Sequence, residues 1–584
     1  MFKRFTRMSL LLVAVLCFSV VLVACGDNTA TPATNQDNQG QNAQVSTGVS
    51  SALAGSFPDT TAFYLTLNTD TSSDQIKSWQ KMVDYLSAIP EVKVLFSNAD
   101  LLALAKLGTY DTDIKPWIGK ELALGVTDLN AIASMVNGAT SGSGAAAPSG
   151  DIPVLLAASV TDQAKADAFV TSLSGKIGLQ PTKDTYKGAN LYSFNAGFFT
   201  VSAAVAKDKL FIGGGDAIVK AALDRTADKS LSSNAQYKAV SEKLPKGNLG
   251  YAYLDFQTIV KALNSNPQAK QFTDSLKSTS LDYAGGLGLT FATADEGFRI
   301  DAYQTYLTDK TPKAVADQLG KGANPNNILK AIPEKSIFFL NSRDAASSYD
   351  MLINSLKSMG STAGTSTDVD KSIAEFETAT GLSIKNDIVS LFSGEFGLFV
   401  TPQPDNKTVP VGVGLVADAG DKAATQAKLD KITAAVEKSG EGKIKFESKT
   451  NGSTTYKRAA DQVSGSDVTI NLGIAGNYVF FTVGDGATAD LITSATGGKS
   501  ILDGVNSANF NKVKSVLPGS NQGYVYVDIQ GVTNLATAAI PAEQSKQVKN
   551  YTDKLTKLYS LGSATTQTVS GSYTTVYIYF PVMK

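Results

Sequence analysis

Four stretches of this chain follow one pattern, in which an apolar residue and a proline precede four mostly polar residues and an aromatic-rich alternating run. They begin at Phe57 (FPDTTAFYLTLN), Leu244 (LPKGNLGYAYLD), Ile332 (IPEKSIFFLNSR) and Leu517 (LPGSNQGYVYVD). Their prolines are separated by 187, 88 and 185 residues. This long, short, long spacing predicts two copies of one unit of about 275 residues.

Further segments repeat in the same order between these stretches. Residues 119–126 (GKELALGV) resemble residues 393–400 (SGEFGLFV), and residues 207–224 (KDKLFIGGGDAIVKAALD) resemble residues 475–493 (AGNYVFFTVGDGATADLIT). A chain of 584 residues is also too long for one ordinary core. The sequence therefore predicts two homologous tandem domains, at residues 56–330 and 331–584.

Strand patterns alternate with helical ones in both halves. Period-two runs such as YAYL (251–254) predict strands, and three hairpins are predicted within residues 198–214, 287–307 and 568–580. Apolar residues at helical spacing predict one helix in each half: Ala166, Phe169, Val170, Leu173 and Ile177, and Leu429, Ile432 and Val436. Hairpins between helices favour an α+β fold, with antiparallel sheet packed against helices.

The N-terminus has the order of an export signal. Basic residues Lys3, Arg4 and Arg7 precede an uncharged apolar stretch from Met8 to Ala24. The stretch ends in Leu-Val-Ala-Cys at residues 22–25, which resembles the lipobox of bacterial lipoproteins. That resemblance implies a signal peptide at residues 1–24, cleavage between Ala24 and Cys25, and a diacylglycerol on the Cys25 thiol. An uncleaved signal anchor is the alternative, since about 17 apolar residues can just span a bilayer.

Residues 25–55 form the predicted link between anchor and body. From Gly26 to Ser56 the chain is rich in Asn, Gln, Thr, Ser, Gly and Ala and has no aromatic residue, which predicts a flexible tether. Two or more acyl chains give durable membrane attachment, whereas one does not. The expected location is therefore extracytoplasmic, with the membrane as a partner through the lipid on Cys25.

Composition excludes several classes of protein. The chain has no histidine, and its two cysteines, Cys17 and Cys25, lie in the first 25 residues. Catalysis that depends on histidine or on a cysteine of the body is therefore excluded, as are disulfides of the body and metal sites built from these residues. A net charge of −1 gives no reason to expect a nucleic-acid partner. We expect no cofactor and no metal.

A glycine run opens one predicted helix. IGGGDAIVKAAL (Ile212–Leu223) has the general shape of a phosphate-binding turn but lacks both the GxGxxG spacing and a Gly-Lys-Ser/Thr ending. The corresponding segment of the second half keeps only Gly-Asp-Gly. We therefore interpret both segments as structural turns, with Asp216 and Asp485 as helix N-caps.

Two further pairs of acidic residues occupy equivalent positions in the two halves. Asp255 (YLDFQ) and Asp528 (YVDIQ) follow predicted strands, and capping of the next helix is favoured over acid–base or calcium chemistry. Glu121 and Glu395 enter equivalent strands, where structural pairing is favoured over catalysis. No catalytic residue is assigned.

The paired units, the Pro-x4-aromatic strand starts and the Gly-x-Glu strand entry resemble a bacterial family known as domain of unknown function 3352. The resemblance covers roughly residues 56–584 and implies no established activity. The leading hypothesis is a non-enzymatic, lipid-anchored envelope protein that acts in binding or interaction. A carrier of lipid or another hydrophobic ligand and the solute-binding lipoprotein of a transporter are alternatives, and a hydrolase using Ser, Lys or carboxylates stays open.

Overall fold

The strands and helices follow the order that the sequence patterns predict. The computed structural model describes residues 51–87, 109–131, 151–197, 199–264, 282–294, 296–343, 345, 349, 369–403, 410–439, 444–461, 468–504, 507–538 and 558–580. Their helices and antiparallel strands confirm the α+β class. The chain divides into two compact units between Thr311 and Pro312, ahead of the position near residue 331 that the proline spacing indicates.

The first unit contains ten strands and five α-helices among its described residues. Its strands are β1 Phe63–Asn68, β2 Ile118–Val126, β3 Ile152–Val160, β4 Thr182–Tyr186, β5 Ala189–Asn195, β6 Thr200–Ala206, β7 Lys209–Gly214, β8 Gly250–Asp255, β9 Ala284–Ala294 and β10 Gly297–Tyr306. Its helices are α1 Asp74–Leu86, α2 Gln163–Ile177, α3 Asp216–Asp224, α4 Ala235–Ser241 and α5 Phe256–Asn264.

The second unit contains ten strands and six α-helices within the ranges that the structure describes. Its strands are β11 Phe338–Arg343, β12 Glu395–Pro402, β13 Val411–Asp418, β14 Glu447–Asn451, β15 Thr454–Asp461, β16 Val468–Ala475, β17 Tyr478–Val483, β18 Tyr524–Asp528, β19 Ser560–Thr568 and β20 Gly571–Tyr579. Its helices are α6 Lys313–Leu319, α7 Val369–Thr380, α8 Lys422–Ser439, α9 Asp485–Ala495, α10 Ser507–Val516 and α11 Ile529–Ala538.

The two units have the same strand order. In the first unit the hydrogen-bonded sequence of strands is β4-β5-β6-β7-β3-β2-β1-β8-β9-β10. In the second unit it is β14-β15-β16-β17-β13-β12-β11-β18-β19-β20. Each of the ten strands of the first unit thus has a counterpart at the same place in the strand order of the second. The three predicted hairpins are confirmed as β6–β7, β9–β10 and β19–β20.

Both predicted helices are present, and local sequence explains where the first of them begins and ends. Helix α2 begins after Asp162, whose Oδ1 accepts a hydrogen bond of 3.1 Å from the Lys165 N–H, and it ends at Gly178 with a φ of +75°. Its buried Ala166 and Val170 pack on the sheet. Helix α8 does the same in the second unit through Leu429 and Ile432. Both helix predictions are confirmed.

The folded body begins earlier than predicted. Residues Leu53–Ser56 form a 3-10 turn ahead of β1, with Leu53 only 1% exposed and Ala54 fully buried. The same kind of turn, Asn327–Lys330, precedes β11. The assignment of residues 53–55 to a flexible tether was therefore wrong, because this segment packs into the core. The rest of the predicted tether up to residue 50, the signal peptide and the site at Ala24 and Cys25 lie outside the described residues.

Candidate functional site

The central strands of the first unit carry apolar side chains on both faces of the sheet. One face is buried and includes Tyr64, Leu155, Tyr251 and Tyr253, each no more than 1% exposed. Along each central strand these buried residues alternate with partly exposed apolar ones. Antiparallel strands with one covered face normally carry polar residues on the other. A second, partly exposed apolar face is therefore a candidate binding surface.

The partly exposed residues form two rows across five neighbouring strands. In the strand register, Phe63 of β1 lies opposite Val126 on one side and Leu254 on the other. Leu65, the next residue of β1 on that face, likewise has a partner on each side. The first row is Val154, Val126, Phe63, Leu254 and Leu287, and the second is Leu156, Leu124, Leu65, Ala252 and Leu289. We call these the apolar rows of the first unit.

The second unit has the same rows on the corresponding strands. They are Val413, Val400, Phe338, Val527 and Leu561, and Leu415, Leu398, Leu340, Val525 and Ser563. Val413 remains 36% exposed, and Ile470 on the same face is 38% exposed. Nine of these ten residues are apolar, so the pattern is shared by both units at equivalent positions.

Helices flank the apolar rows of the first unit. Helix α2 packs beside them on Ala158 and Leu210, at the β3–β7 side of the sheet. Helix α1 packs at the other side, where the Trp79 ring lies 5.8 Å from the Phe298 ring of β10. The rows themselves contain no titratable side chain. This surface can bind hydrocarbon by removing it from water, but it can supply no acid, base or nucleophile.

Glu121 of the first unit is a structural residue. Its Oε2 accepts a hydrogen bond of 3.3 Å from the Leu53 N–H, and its Oε1 accepts a short one from the Ser51 hydroxyl. Ser51 Oγ is also 2.5 Å from the hydroxyl oxygen of buried Tyr64. Burial raises the pKa of Glu121, which is otherwise lowered by these hydrogen bonds. The carboxylate thus holds the 3-10 turn against β2.

In Glu395, the counterpart of Glu121, only one of the two carboxylate oxygens has a hydrogen-bond partner among the described residues. Oε2 accepts a hydrogen bond of 2.8 Å from the Ile328 N–H, which corresponds to the bond from Leu53. Oε1 is buried and has no partner among the described residues. Glu395 lines a cleft of about 350 Å³ in the second unit, together with Pro325, Asn327, Ile328, Lys330, Asp418, Asn477 and Tyr478. Burial, Asp418 and Glu395 together raise the pKa of Tyr478.

The acidic residues that follow β8 and β18 cap helices, as predicted. Asp255 Oδ1 accepts a hydrogen bond of 2.9 Å from the Thr258 N–H, and Asp528 Oδ1 accepts one of 3.1 Å from the Gly531 N–H. Burial raises the pKa of Asp528. Each carboxylate thus satisfies the N-terminus of the helix that follows it.

The glycine turns are structural, but the predicted N-caps are wrong. The cap positions are Gly215 (φ +140°) and Gly484 (φ +97°), and Asp216 and Asp485 are the first residues of their helices. Asp216 accepts a hydrogen bond of 2.5 Å from Ser193. Asp485 pairs with Arg458, with 3.0 Å between Nη2 and Oδ2. A glycine is required at each cap because its φ is positive.

The N-terminus of α3 is already occupied by the chain itself. Asp151 Oδ2 accepts a hydrogen bond of 3.2 Å from the Ala217 N–H, at the place where a phosphate would bind. A Cβ on Gly215 would collide with the same carboxylate. Sequence reasoning did not single out Asp151, Ser51 or the residues that line the cleft beside Glu395, because only tertiary packing brings them to these positions.

The described ranges also bear on membrane insertion and metal binding. None of the helices there is both long and apolar enough to cross a bilayer. Within the same ranges, no group of three or more Asp, Glu, His or Cys side chains is placed to hold a metal ion.

Comparison with known proteins identifies a family. The profile of the family described as "Protein of unknown function (DUF3352)" matches residues 38–580, and the chain belongs to that family. No curated protein matches. Crystal forms III and IV of TP0453 are similar at 12% and 14% identity, covering 44% of this chain and 80% and 83% of theirs, with TM-scores of 0.22 and 0.21.

Proposed function

We propose that this member of the DUF3352 family is a non-enzymatic, lipid-anchored protein of the bacterial cell envelope whose body binds hydrophobic ligands, with lipid acyl chains as their chemical class. The observation that carries the proposal is the pair of apolar rows, which recurs at equivalent positions of both units. The equivalent rows also support an origin of the two units by duplication.

The size and chemistry of the rows favour acyl chains. Each row crosses five strands, and neighbouring strands lie about 4.8 Å apart, so a row is about 19 Å long. An extended acyl chain can lie along such a row, and burial of each methylene contributes about 0.8 kcal/mol. A lipid on Cys25 would hold the body beside the membrane, where acyl chains are available.

Photocrosslinking tests the proposal on the full-length protein. The protein is incubated with vesicles that contain a palmitoyl probe carrying a diazirine, irradiated, digested and analysed by mass spectrometry. We expect crosslinks on peptides of β1, β2, β11 and β12. Leu65→Glu should reduce crosslinking in the first unit roughly tenfold, because a carboxylate would lose its hydration under an acyl chain.

Val569→Glu is the matched control, since Val569 is 46% exposed and lies in the turn between β19 and β20. Its crosslinking should equal that of the wild type, and melting temperatures of both variants check their folding. Crosslinks that avoid the row peptides, or that persist unchanged in Leu65→Glu, contradict the lipid-binding function. Capture of a protein on the same rows would instead favour the interaction hypothesis.

The anchor is tested separately by the intact mass of protein isolated from native membranes. We expect a chain that begins at Cys25 and carries diacylglycerol. An unmodified chain that retains residues 1–24 would contradict the lipid anchor but not the ligand site.

A further inference from the structure

We propose that the cleft of the second unit binds a small, uncharged, hydroxyl-bearing solute of monosaccharide size, which donates a hydroxyl hydrogen to Glu395. This site is distinct from the apolar rows and from the hydrophobic ligand proposed for them. It agrees with the solute-binding alternative for this chain.

The first unit shows what the glutamate oxygen binds. There, Glu121 Oε1 accepts a hydrogen bond from the Ser51 hydroxyl, which is contributed by the chain itself. Ser51 also hydrogen-bonds with the Tyr64 hydroxyl, so the two hydroxyl groups and the carboxylate form one hydrogen-bonded network within the chain. A serine hydroxyl and a sugar hydroxyl are the same kind of donor.

The second unit lacks both internal hydroxyls. The position of Ser51 is taken by Asn326, and that of Tyr64 by Phe339. The Asn326 side chain is engaged elsewhere: its Nδ2 donates to Asn324 O at 2.9 Å, and its Oδ1 accepts from Asn341 at 2.7 Å. Glu395 Oε1 is therefore left without a donor among the described residues. A buried acceptor without a donor costs free energy that a ligand hydroxyl can recover.

The remaining lining fits a polyhydroxylated molecule. Asn327, Asp418 and Asn477 supply amide and carboxylate groups, and Tyr478 supplies an aromatic ring against which the apolar face of a sugar can pack. Tyr478 is held in place by its hydroxyl, which donates to Asn327 O at 3.4 Å. A volume of about 350 Å³ lies at the lower end of the range for small-molecule sites.

Charge argues against an anionic ligand. The cleft lining contains two carboxylates, Glu395 and Asp418, and one cation, Lys330. A phosphate or a second carboxylate would be repelled, because like charges at close range are unfavourable in a partly buried site. A neutral molecule with several hydroxyls avoids that repulsion and can still form hydrogen bonds with the polar side chains of the lining.

Ligand-observed NMR and calorimetry on the full-length protein in detergent test the site. The probes are D-glucose and N-acetyl-D-glucosamine, with glucose 6-phosphate as the charged comparison. We expect saturable binding of at least one neutral sugar and at least tenfold weaker binding of the phosphate. Glu395→Gln should weaken the neutral sugar about tenfold, while its amide oxygen keeps the bond from the Ile328 N–H.

Glu121→Gln is the matched control in the first unit, and it should leave sugar binding unchanged. Asp418→Asn is a second test variant; it keeps an acceptor for the Gly420 N–H, which now bonds Asp418 Oδ1 at 2.9 Å, and it should also weaken binding. The proposal is overturned if neither neutral sugar binds the wild type saturably. It is equally overturned if Glu395→Gln, with an unchanged melting temperature, binds as tightly as the wild type.

Discussion

Gly414→Ala tests how the two units fill equivalent space in different ways. Gly414 of β13 lies opposite Phe399 of β12. A Cβ built on Gly414 would approach three atoms of the Phe399 ring closer than 3.0 Å. At the equivalent pair of the first unit, Gly125 lies opposite Leu155, so the large and small residues have changed strands.

The ring cannot move aside without disturbing its surroundings, because Phe399 is fully buried. Adding a methyl group to a filled core typically costs about 1–3 kcal/mol. The equilibrium constant for opening of the second unit should therefore increase about 5- to 150-fold, since 1.4 kcal/mol corresponds to a factor of ten. Combining Gly414→Ala with Phe399→Leu should cost less than the sum of the single changes, because the smaller side chain makes room.

Hydrogen exchange of amides in β12 and β13 measures this effect, and peptides of β2 and β3 report on the first unit. Gly394→Ala is the control, because its Cβ would have only an ordinary contact of 3.6 Å with Asp418. Equal exchange in Gly414→Ala and Gly394→Ala would refute the steric argument. If the free-energy cost of the double variant equals the sum of the two single costs, the argument that Gly414 is required by the size of the Phe399 side chain is refuted.

Three further predictions concern local interactions. Asp255→Ala removes the acceptor of the Thr258 N–H and should cost about 0.5–2 kcal/mol in thermal or urea unfolding. A hydrogen bond from Lys176 lowers the pKa of Asp113 from 3.8 to about 2. The stability that this interaction contributes is therefore present above pH 3.8 and is lost as the pH falls towards 2. In Asp113→Asn, the free energy of unfolding should depend less steeply on pH in that window. Gly215→Ala should lower the melting temperature, since a Cβ there meets the Asp151 carboxylate at a φ of +140°.

Local and periodic features of the fold could be predicted from the sequence. Alternating residues predicted β9 and β10 and, within residues 198–214, the β6–β7 hairpin, and an aspartate after β8 predicted a helix cap. These features depend on a few neighbouring residues, so spacing along the chain determines them. The spacing of the prolines predicted two copies of one unit, and Pro58 and Pro333 form corresponding isolated bridges to Ser230 and Ser500.

The candidate sites could not be predicted in this way. The apolar rows depend on register across five strands, and an alternating strand does not reveal that both of its faces are apolar and one is partly exposed. The unpartnered oxygen of Glu395 depends on hydroxyls that the second unit lacks: in the first unit Ser51 lies 70 residues before Glu121, and only the fold brings them together. The N-cap error has a simpler cause, since glycine at positive φ caps α3 and α9 without a side chain.

The rows and the cleft differ in how the two units treat equivalent positions, and that difference supports separate roles. In the rows, Phe63 corresponds to Phe338, Val126 to Val400, and Leu254 to Val527, so the first two residues are identical and the third stays apolar. At the glutamates the acid is kept but its donor is lost in one unit only. A general hydrophobic surface would therefore be present twice and a specific polar site once, which is the division of labour that the crosslinking and sugar-binding experiments test independently.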